Sequence, residues 1–239
     1  MMKTAILVDG GFYKLEALKL FGKKSPEARA AELVRYCQFH LLNRAKYEII
    51  EDKKRYAKND LCRVFYYDCP PVSKMIYHPL LKKNVDFSKK DTFQWTTDFF
   101  NSLRTKRKFA LRLGKLADAT ASFNLKSDVT KKILSGTRVL TDLTEKDFDL
   151  ALRQKGVDMK IGIDIATLAY KRLVDQIVLI SGNSDFVPVA KLARREGIDF
   201  VLDPMGTHIA PDLQEHIDGM QSYYKWMQKS ETSDLDDDL

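Results

Sequence analysis

Four aspartates stand where a fold can bring carboxylates together. Asp9 follows the apolar run Ile6-Leu7-Val8 and precedes Gly10-Gly11. Asp185 closes Ser181-Gly182-Asn183-Ser184-Asp185, directly after Ile177-Val178-Leu179-Ile180. Short unbroken apolar runs of this kind read as parallel strands buried on both faces. In an open parallel sheet the functional crevice lies beyond the carboxyl ends of the strands, where the winding reverses. If the two strands are neighbours, Asp9 and Asp185 share that crevice. Carboxylates gathered without basic partners repel, and a divalent cation is the usual compensation.

Asp158 and Asp164 belong to a third segment. Val157, Ile161, Ile165, Leu168 and Ala169 mark one apolar helical face. At roughly 100° per residue, the six positions from Asp158 to Asp164 turn about 240°, so the two cannot share a face of one regular helix. Asp158 is therefore expected at or before the helix start, as an N-cap or as an edge of the site. Asp164, between Ile163 and Ile165, projects from the helix proper.

The elements that must position these residues follow from periodicity. Residues 6–8, 61–67, 109–113, 177–180 and 200–202 read as strands, and 119–125 is a further candidate. Helices are expected over 26–47, 92–103, 186–196 and 211–226, the first opened by Pro26 and spaced by Leu33, Tyr36, Cys37, His40 and Leu41, the third closed by Gly197. Residues 127–149 follow no clear period. Buried strands alternating with helices predict an α/β fold with a doubly wound, mostly parallel sheet. We expect one domain over residues 1–227, with residues 72–137 as a basic insertion in its middle. A short acidic tail, 228–239, is expected to be disordered.

Charge points to the partner. Residues 82–138 carry fourteen Lys/Arg against five Asp, a surplus of +9 that exceeds the +7 of the whole chain, whereas residues 230–239 hold five acids and no base. A basic middle attracts polyanions. Arg104, Lys106, Arg107, Lys108, Arg112 and Lys115 are placed to track phosphates, with Phe109 or Trp95 available to stack on bases. Cys37, Cys62 and Cys69 form no CxxC pair, and His40, His78, His208 and His216 are scattered, so neither a disulfide framework nor a zinc site is expected. No apolar run approaches the roughly 20 residues that cross a bilayer. No membrane association and a cytoplasmic location are the expectation.

Four motifs occur in order: Val8-Asp9-Gly10-Gly11, Tyr66-Tyr67-Asp68-Cys69-Pro70-Pro71, Lys155-Gly156-Val157-Asp158 and Ser181-Gly182-Asn183-Ser184-Asp185-Phe186-Val187-Pro188. Together they resemble the NYN domain family, which includes the LabA-like proteins, over roughly residues 3–68 and 108–204. The resemblance implies a PIN-like nuclease fold, a carboxylate pocket for Mg²⁺ or Mn²⁺ and, for many members, ribonuclease activity. It also marks 72–137 as a family-variable region. One position departs from the pattern: the last motif usually reads Ser-Gly-Asp-Ser-Asp, and this chain has Asn183 at the first acidic place.

On that basis the expected activity is metal-dependent (endo)ribonuclease cleavage, with Asp9, Asp158, Asp164 and Asp185 as the catalytic set. A hydrated Mg²⁺ or Mn²⁺ held by one or two carboxylates positions a phosphodiester, activates water and stabilises the leaving oxygen. Asp9, Asp164 and Asp185 are the expected ligands, direct or through water. Asp158 would orient a water, and Asn183 is a ligand or a substrate contact. Ser181 and Ser184 are candidate hydrogen-bond donors to a phosphate or an acid, or simply turn residues. RNA is expected before DNA, and a homodimer stays open.

Two rivals fail on the residues. A dinucleotide enzyme needs GxGxxG after the first strand, and Asp9-Gly10-Gly11-Phe12 is not that. An Asp-nucleophile phosphotransferase needs a second Asp where Gly11 stands. A third rival remains: a catalytically weak NYN-type module that binds RNA or protein, its site weakened by Asn183.

Overall fold

The computed structural model describes residues 1–50, 53–117, 121–152 and 154–232. β1 (Lys3–Asp9) leads straight into α1 (Gly10–Phe21), and α2 (Pro26–Phe39) follows. A ribbon of β2 (Leu42–Ile50) and β3 (Lys53–Lys58) precedes β4 (Asp60–Asp68). Next come β5 (Met75–His78), β6 (Lys83–Asp86), α3 (Asp91–Arg104), β7 (Phe109–Leu113) and β8 (Lys115–Leu116). Then β9 (Ser122–Leu125), α4 (Ser127–Leu134), β10 (Phe148–Ala151) and β11 (Gln154–Lys155) lead to α5 (Val157–Tyr170). The chain continues through β12 (Gln176–Ile180), α6 (Val187–Arg195), β13 (Asp199–Asp203), α7 (Pro211–Glu215), β14 (Gly219–Met220) and α8 (Tyr224–Thr232).

The chain divides into two compact units. The first comprises Met1–Asp68, Asp98–Leu113 and Gly156–Leu239, the second Cys69–Thr97 and Gly114–Lys155. The first is an α/β unit around a sheet of six described strands, in the order β14-β13-β12-β1-β4-β7. Every pairing within it is parallel. From β1 the chain builds outward through β4 to β7, then returns to the other side of β1 for β12, β13 and β14. The winding thus reverses between β1 and β12.

Burial explains why these segments are strands. Ala5 to Val8 and Ile177 to Ile180 are almost wholly buried, as continuous apolar runs require when both faces are covered. Helices add Tyr13 and Ala17 from α1, Leu33 and Tyr36 from α2, and Ile161 and Ile165 from α5 to the core. At the start of α2 the Ser25 side chain accepts the Ala28 N–H at 3.2 Å, and Pro26, which has no N–H to leave unsatisfied, opens the first turn.

Two expected helices are shorter than their spacing suggests. Helical spacing holds through Cys37, but α2 ends at Phe39, and β-favouring Tyr47, Ile49, Ile50 and Tyr56 fold back as the β2–β3 ribbon. Residues 211–226 divide into α7, the edge strand β14 and the start of α8, because Gly219 and Met220 pair with Val201 and Leu202. Of the acidic tail, residues 228–232 close α8, and 233–239 lie outside the described residues.

The second unit is built from antiparallel pairs, β5 with β6, β9 with β10 and β8 with β11, together with α4. His78 packs on Phe123 and Phe148, with ring centroids at 4.3 and 5.0 Å. Residues 127–149, which follow no period, contain α4 and a loop stapled by the Arg138 guanidinium on Asp147 at 2.7 and 2.9 Å. Side-chain bonds of that kind leave no periodic trace. No helix among the described residues is long and apolar enough to cross a membrane.

Candidate functional site

Asp9 is the last residue of β1 and the N-cap of α1, its Oδ1 accepting the Phe12 N–H at 3.2 Å. The helix can start at once because Gly10 has no side chain. A Cβ there would lie 2.6 Å from the Tyr66 ring and from the Tyr67 carbonyl oxygen. The other oxygen of Asp9 accepts the Ser181 hydroxyl at 3.1 Å. Ser181 is fully buried just past β12, and its Oγ also receives the Asn183 N–H at 3.2 Å. The expected neighbourhood of the two strands is therefore present, with the loop after β12 tied to the end of β1.

Both hydrogen-bond donors to Asp9 are neutral. Burial pushes its carboxyl above the ordinary carboxylate range, the Phe12 N–H and Ser181 hydroxyl pull it back, and the charges of Asp158 and Asp68 add to the rise. Partial desolvation raises the Asp158 carboxyl too, with Asp185 as the second cause. The charge of Asp158 thus reaches Asp9, and that of Asp185 reaches Asp158. Among the described residues none of the three has a basic partner.

Asp158 is the second residue of α5, not its N-cap. That place belongs to Gly156, whose φ of 79° suits glycine. Both Asp158 and Asp164 therefore lie in one helix, and its turn sends them apart as the angular argument requires. Asp164 meets the Tyr67 hydroxyl at 2.8 Å and Arg112 Nε at 3.1 Å. It is not the unpaired carboxylate expected from sequence: Arg112 already compensates its charge. Arg112 also lies over the Phe65 ring, 5.3 Å from its centroid.

Asn183 works within its own loop. Its Oδ1 accepts the Asp185 N–H at 3.0 Å, and its Nδ2 donates to Asp185 Oδ2 at 3.4 Å. The amide therefore steadies Asp185 through a neutral dipole. Ser184 and Asp185 are exposed.

The basic residues divide by sheet end. Arg112 pairs with Tyr67, which in turn pairs with Asp9, so it sits at the carboxyl edge. Residues 104–108 precede β7 and lie at the opposite, amino edge. There Lys108 donates to the Leu61 carbonyl oxygen and pairs with Asp60 at 3.3 Å, while Arg104 bonds Asn101 at 2.6 Å. Phe109 is level with Val64 and Ile6, so Lys108 lies about four residues, roughly 13 Å, from Asp9 along the sheet, and its side chain points back to the amino edge. Arg104, Lys106, Arg107 and Lys108 are thus not brought to the acidic crevice. Lys115 belongs to the second unit, where its carbonyl oxygen accepts the Cys69 thiol at 3.6 Å.

Sequence reading passed over Asp68 and Lys14. Asp68 ends β4 as Asp9 ends β1, is almost wholly buried, and pairs with Lys14 Nζ at 2.7 Å. Its place at the end of a buried strand was the available signal.

The donor set suits a hydrated cation. Among the described residues, the group whose ligand atoms all close within 4.8 Å is Asp212, Glu215 and His216, largely exposed on and beside α7. The set of Asp9, Asp158 and Asp185 is more open. A divalent cation that keeps several of its waters needs only one or two carboxylates. Asp164, occupied by Arg112 and Tyr67, does not fit as a ligand in this arrangement.

A parallel α/β sheet with mutually repelling carboxylates at its reversal point defines a protein with an acidic site at the carboxyl edge. The model of the NYN domain matches residues 83–221, more than half of the chain, and the chain belongs to that family. The matched stretch contains Asp158, Asp164, Asn183 and Asp185 but does not reach Asp9. The family is generally nuclease-like and acts on nucleic acid, typically with divalent metals. No curated protein matches the chain. Among solved structures, a protein of unknown function from Vibrio parahaemolyticus is similar at 13% identity, with a TM-score of 0.44, over 100% of this chain and 95% of that one.

Proposed function

We propose that the chain is a metal-dependent endoribonuclease on a PIN-like, doubly wound fold. The observation that carries this reading is the gathering of Asp9, Asp158 and Asp185 from three distant segments, Asp158 acting on Asp9 and Asp185 on Asp158, without a basic partner among the described residues. Bound there, Mg²⁺ or Mn²⁺ would polarise the phosphodiester and lower the pKa of an attacking water. Asp9 and Asp185 would hold it, directly or through water. Asp158 accepts a hydrogen bond from the attacking water and orients it. Ser181 keeps Asp9 in place, and the exposed Ser184 hydroxyl donates to a phosphate oxygen. Arg112, anchored by Asp164, meets the phosphate at the same edge. RNA is the substrate ahead of DNA, and the cytoplasm the location.

Asn183 favours a second reading, a catalytically weak module that binds RNA or protein. Where a carboxylate would add charge for a cation, this chain has an amide bonded to Asp185. The test is cleavage of labelled single- and double-stranded RNA in Mn²⁺, in Mg²⁺ and in EDTA. Products that require metal and vanish in Asp9→Asn are expected. Binding without cleavage on either substrate would leave the module.

A further inference from the structure

The β2–β3 ribbon has no part in the acidic crevice. It interrupts the connection from α2 to β4, and its sequence from residue 42 to 58 carries six Lys/Arg against three acids. Its base lies at the amino edge of the sheet: the Asn59 N–H donates to the Leu41 carbonyl at 2.7 Å, and the Asp60 N–H to that of Met2 at 2.9 Å. The basic turn before β7 reaches the same place, through Lys108 on Leu61 and Asp60. Two basic segments far apart in sequence therefore reach one edge; the ribbon base lies about 20 Å from Asp9 by the length of β1, and the turn before β7 about 13 Å from it.

The ribbon also presents a ring. Tyr47 is paired across the strands with Tyr56 and is 46% exposed. Tyr56 is braced from below, its ring 6.2 Å from Trp226, which meets Phe39 edge-on at 6.2 Å. Lys46 and Lys58 are exposed on the same ribbon. An exposed aromatic on a braced platform, flanked by lysines, is what an unpaired base and its phosphates require, because any base can stack and any phosphate can be neutralised.

We propose that this ribbon is a second binding site, one that holds single-stranded RNA at the amino edge while a distant part of the same strand occupies the crevice. The inference rests on the reading of the chain as an RNA-acting protein. Tyr47 stacks on a base, and Lys46 and Lys58 neutralise phosphates, with Arg107 extending the track. A dinucleotide in the crevice cannot span about 20 Å and gains nothing from the ribbon. A long strand does.

The experiment is fluorescence anisotropy with a labelled oligouridylate in EDTA, so that cleavage plays no part. It compares the full chain with the combined Lys46→Ala, Tyr47→Ala and Lys58→Ala variant. The combined variant is expected to bind about tenfold or more weakly. Its salt slope should fall by roughly 0.7 per lysine removed. Tyr47→Phe keeps the ring and should keep the affinity. Lys46→Glu with Lys58→Glu, which leaves the aromatic brace intact, should weaken binding further. Wild-type affinity and slope in both lysine variants overturn the ribbon site. Should those variants bind normally while wild type cleaves RNA, only the ribbon falls. Ribbon-dependent binding without cleavage sustains the ribbon and defeats the nuclease reading.

Discussion

Asp164 and Arg112 hold each other at 3.1 Å, and the Tyr67 hydroxyl donates to the same carboxylate oxygen at 2.8 Å. The pair removes one aspartate from the repelling set and fixes a guanidinium beside it. Replacing Arg112 with Leu is expected to cost at most about 1 kcal/mol of stability, because the guanidinium side is 45% exposed. It should also free Asp164 toward the crevice, strengthening Mn²⁺ binding while weakening RNA binding. Urea midpoints and Mn²⁺ titrations check both. Unchanged Mn²⁺ affinity would separate Asp164 from the cation site.

Burial is the largest cause of the raised Asp9 carboxyl, with Asp158 and Asp68 adding to it. Raised in the folded state, this acid binds more protons there than in the unfolded chain, so its contribution to stability declines as pH rises above the ordinary value of 3.8. Asn can serve the same N-cap. In EDTA, Asp9→Asn should therefore melt a few degrees higher than wild type at neutral pH. The gap should shrink as pH falls toward 3.8. A gap that is constant with pH would show that charge is not its source.

Gly10→Ala tests the close approach that lets α1 start directly behind β1. The added Cβ meets the Tyr66 ring, the Tyr66 hydroxyl and the Tyr67 backbone at 2.6 Å, and Tyr66 is fully buried. Overpacking of this kind typically costs about 1–3 kcal/mol. A thermal melt should show the loss, and an unchanged midpoint would mean that the strand-to-helix turn is looser than described.

Much of this architecture was legible. The buried runs around Ile6 and Val178 announced central parallel strands, and the acids at their ends placed a crevice between them. Spacing alone told that Asp158 and Asp164 face apart, but not that both lie within α5. Two kinds of fact left no mark. The partner that captures Asp164 comes from β7, which is distant in sequence, and no local pattern shows that Arg112 points that way. The amino-edge position of residues 104–108 depends on strand direction, which charge counting ignores. The β2–β3 ribbon was masked because helical spacing through Leu33, Tyr36 and Cys37 ran on by chance into His40 and Leu41.

Asn183→Asp should restore a charge at almost no change in size. The new carboxylate can still accept the Asp185 N–H, but it loses the Nδ2 donor that now reaches Asp185. The variant should be less stable in EDTA through repulsion and bind Mn²⁺ about tenfold more tightly. Cleavage should rise only at limiting metal. A rise persisting at saturating metal would mean that Asn183 limits the chemical step instead.

The shared cation site is tested most directly by an Mn²⁺ titration followed by electron paramagnetic resonance, in which bound ions lose the signal of free hydrated Mn²⁺. The comparison is wild type against Asp9→Asn, Asp158→Asn and Asp185→Asn, with Asp212→Asn as the control in the exposed group beside α7. Wild type should bind Mn²⁺, each crevice variant should lose about tenfold or more in affinity, and the control should match wild type. Undiminished binding in Asp9→Asn, or a loss confined to Asp212→Asn, would contradict a cation held by Asp9, Asp158 and Asp185.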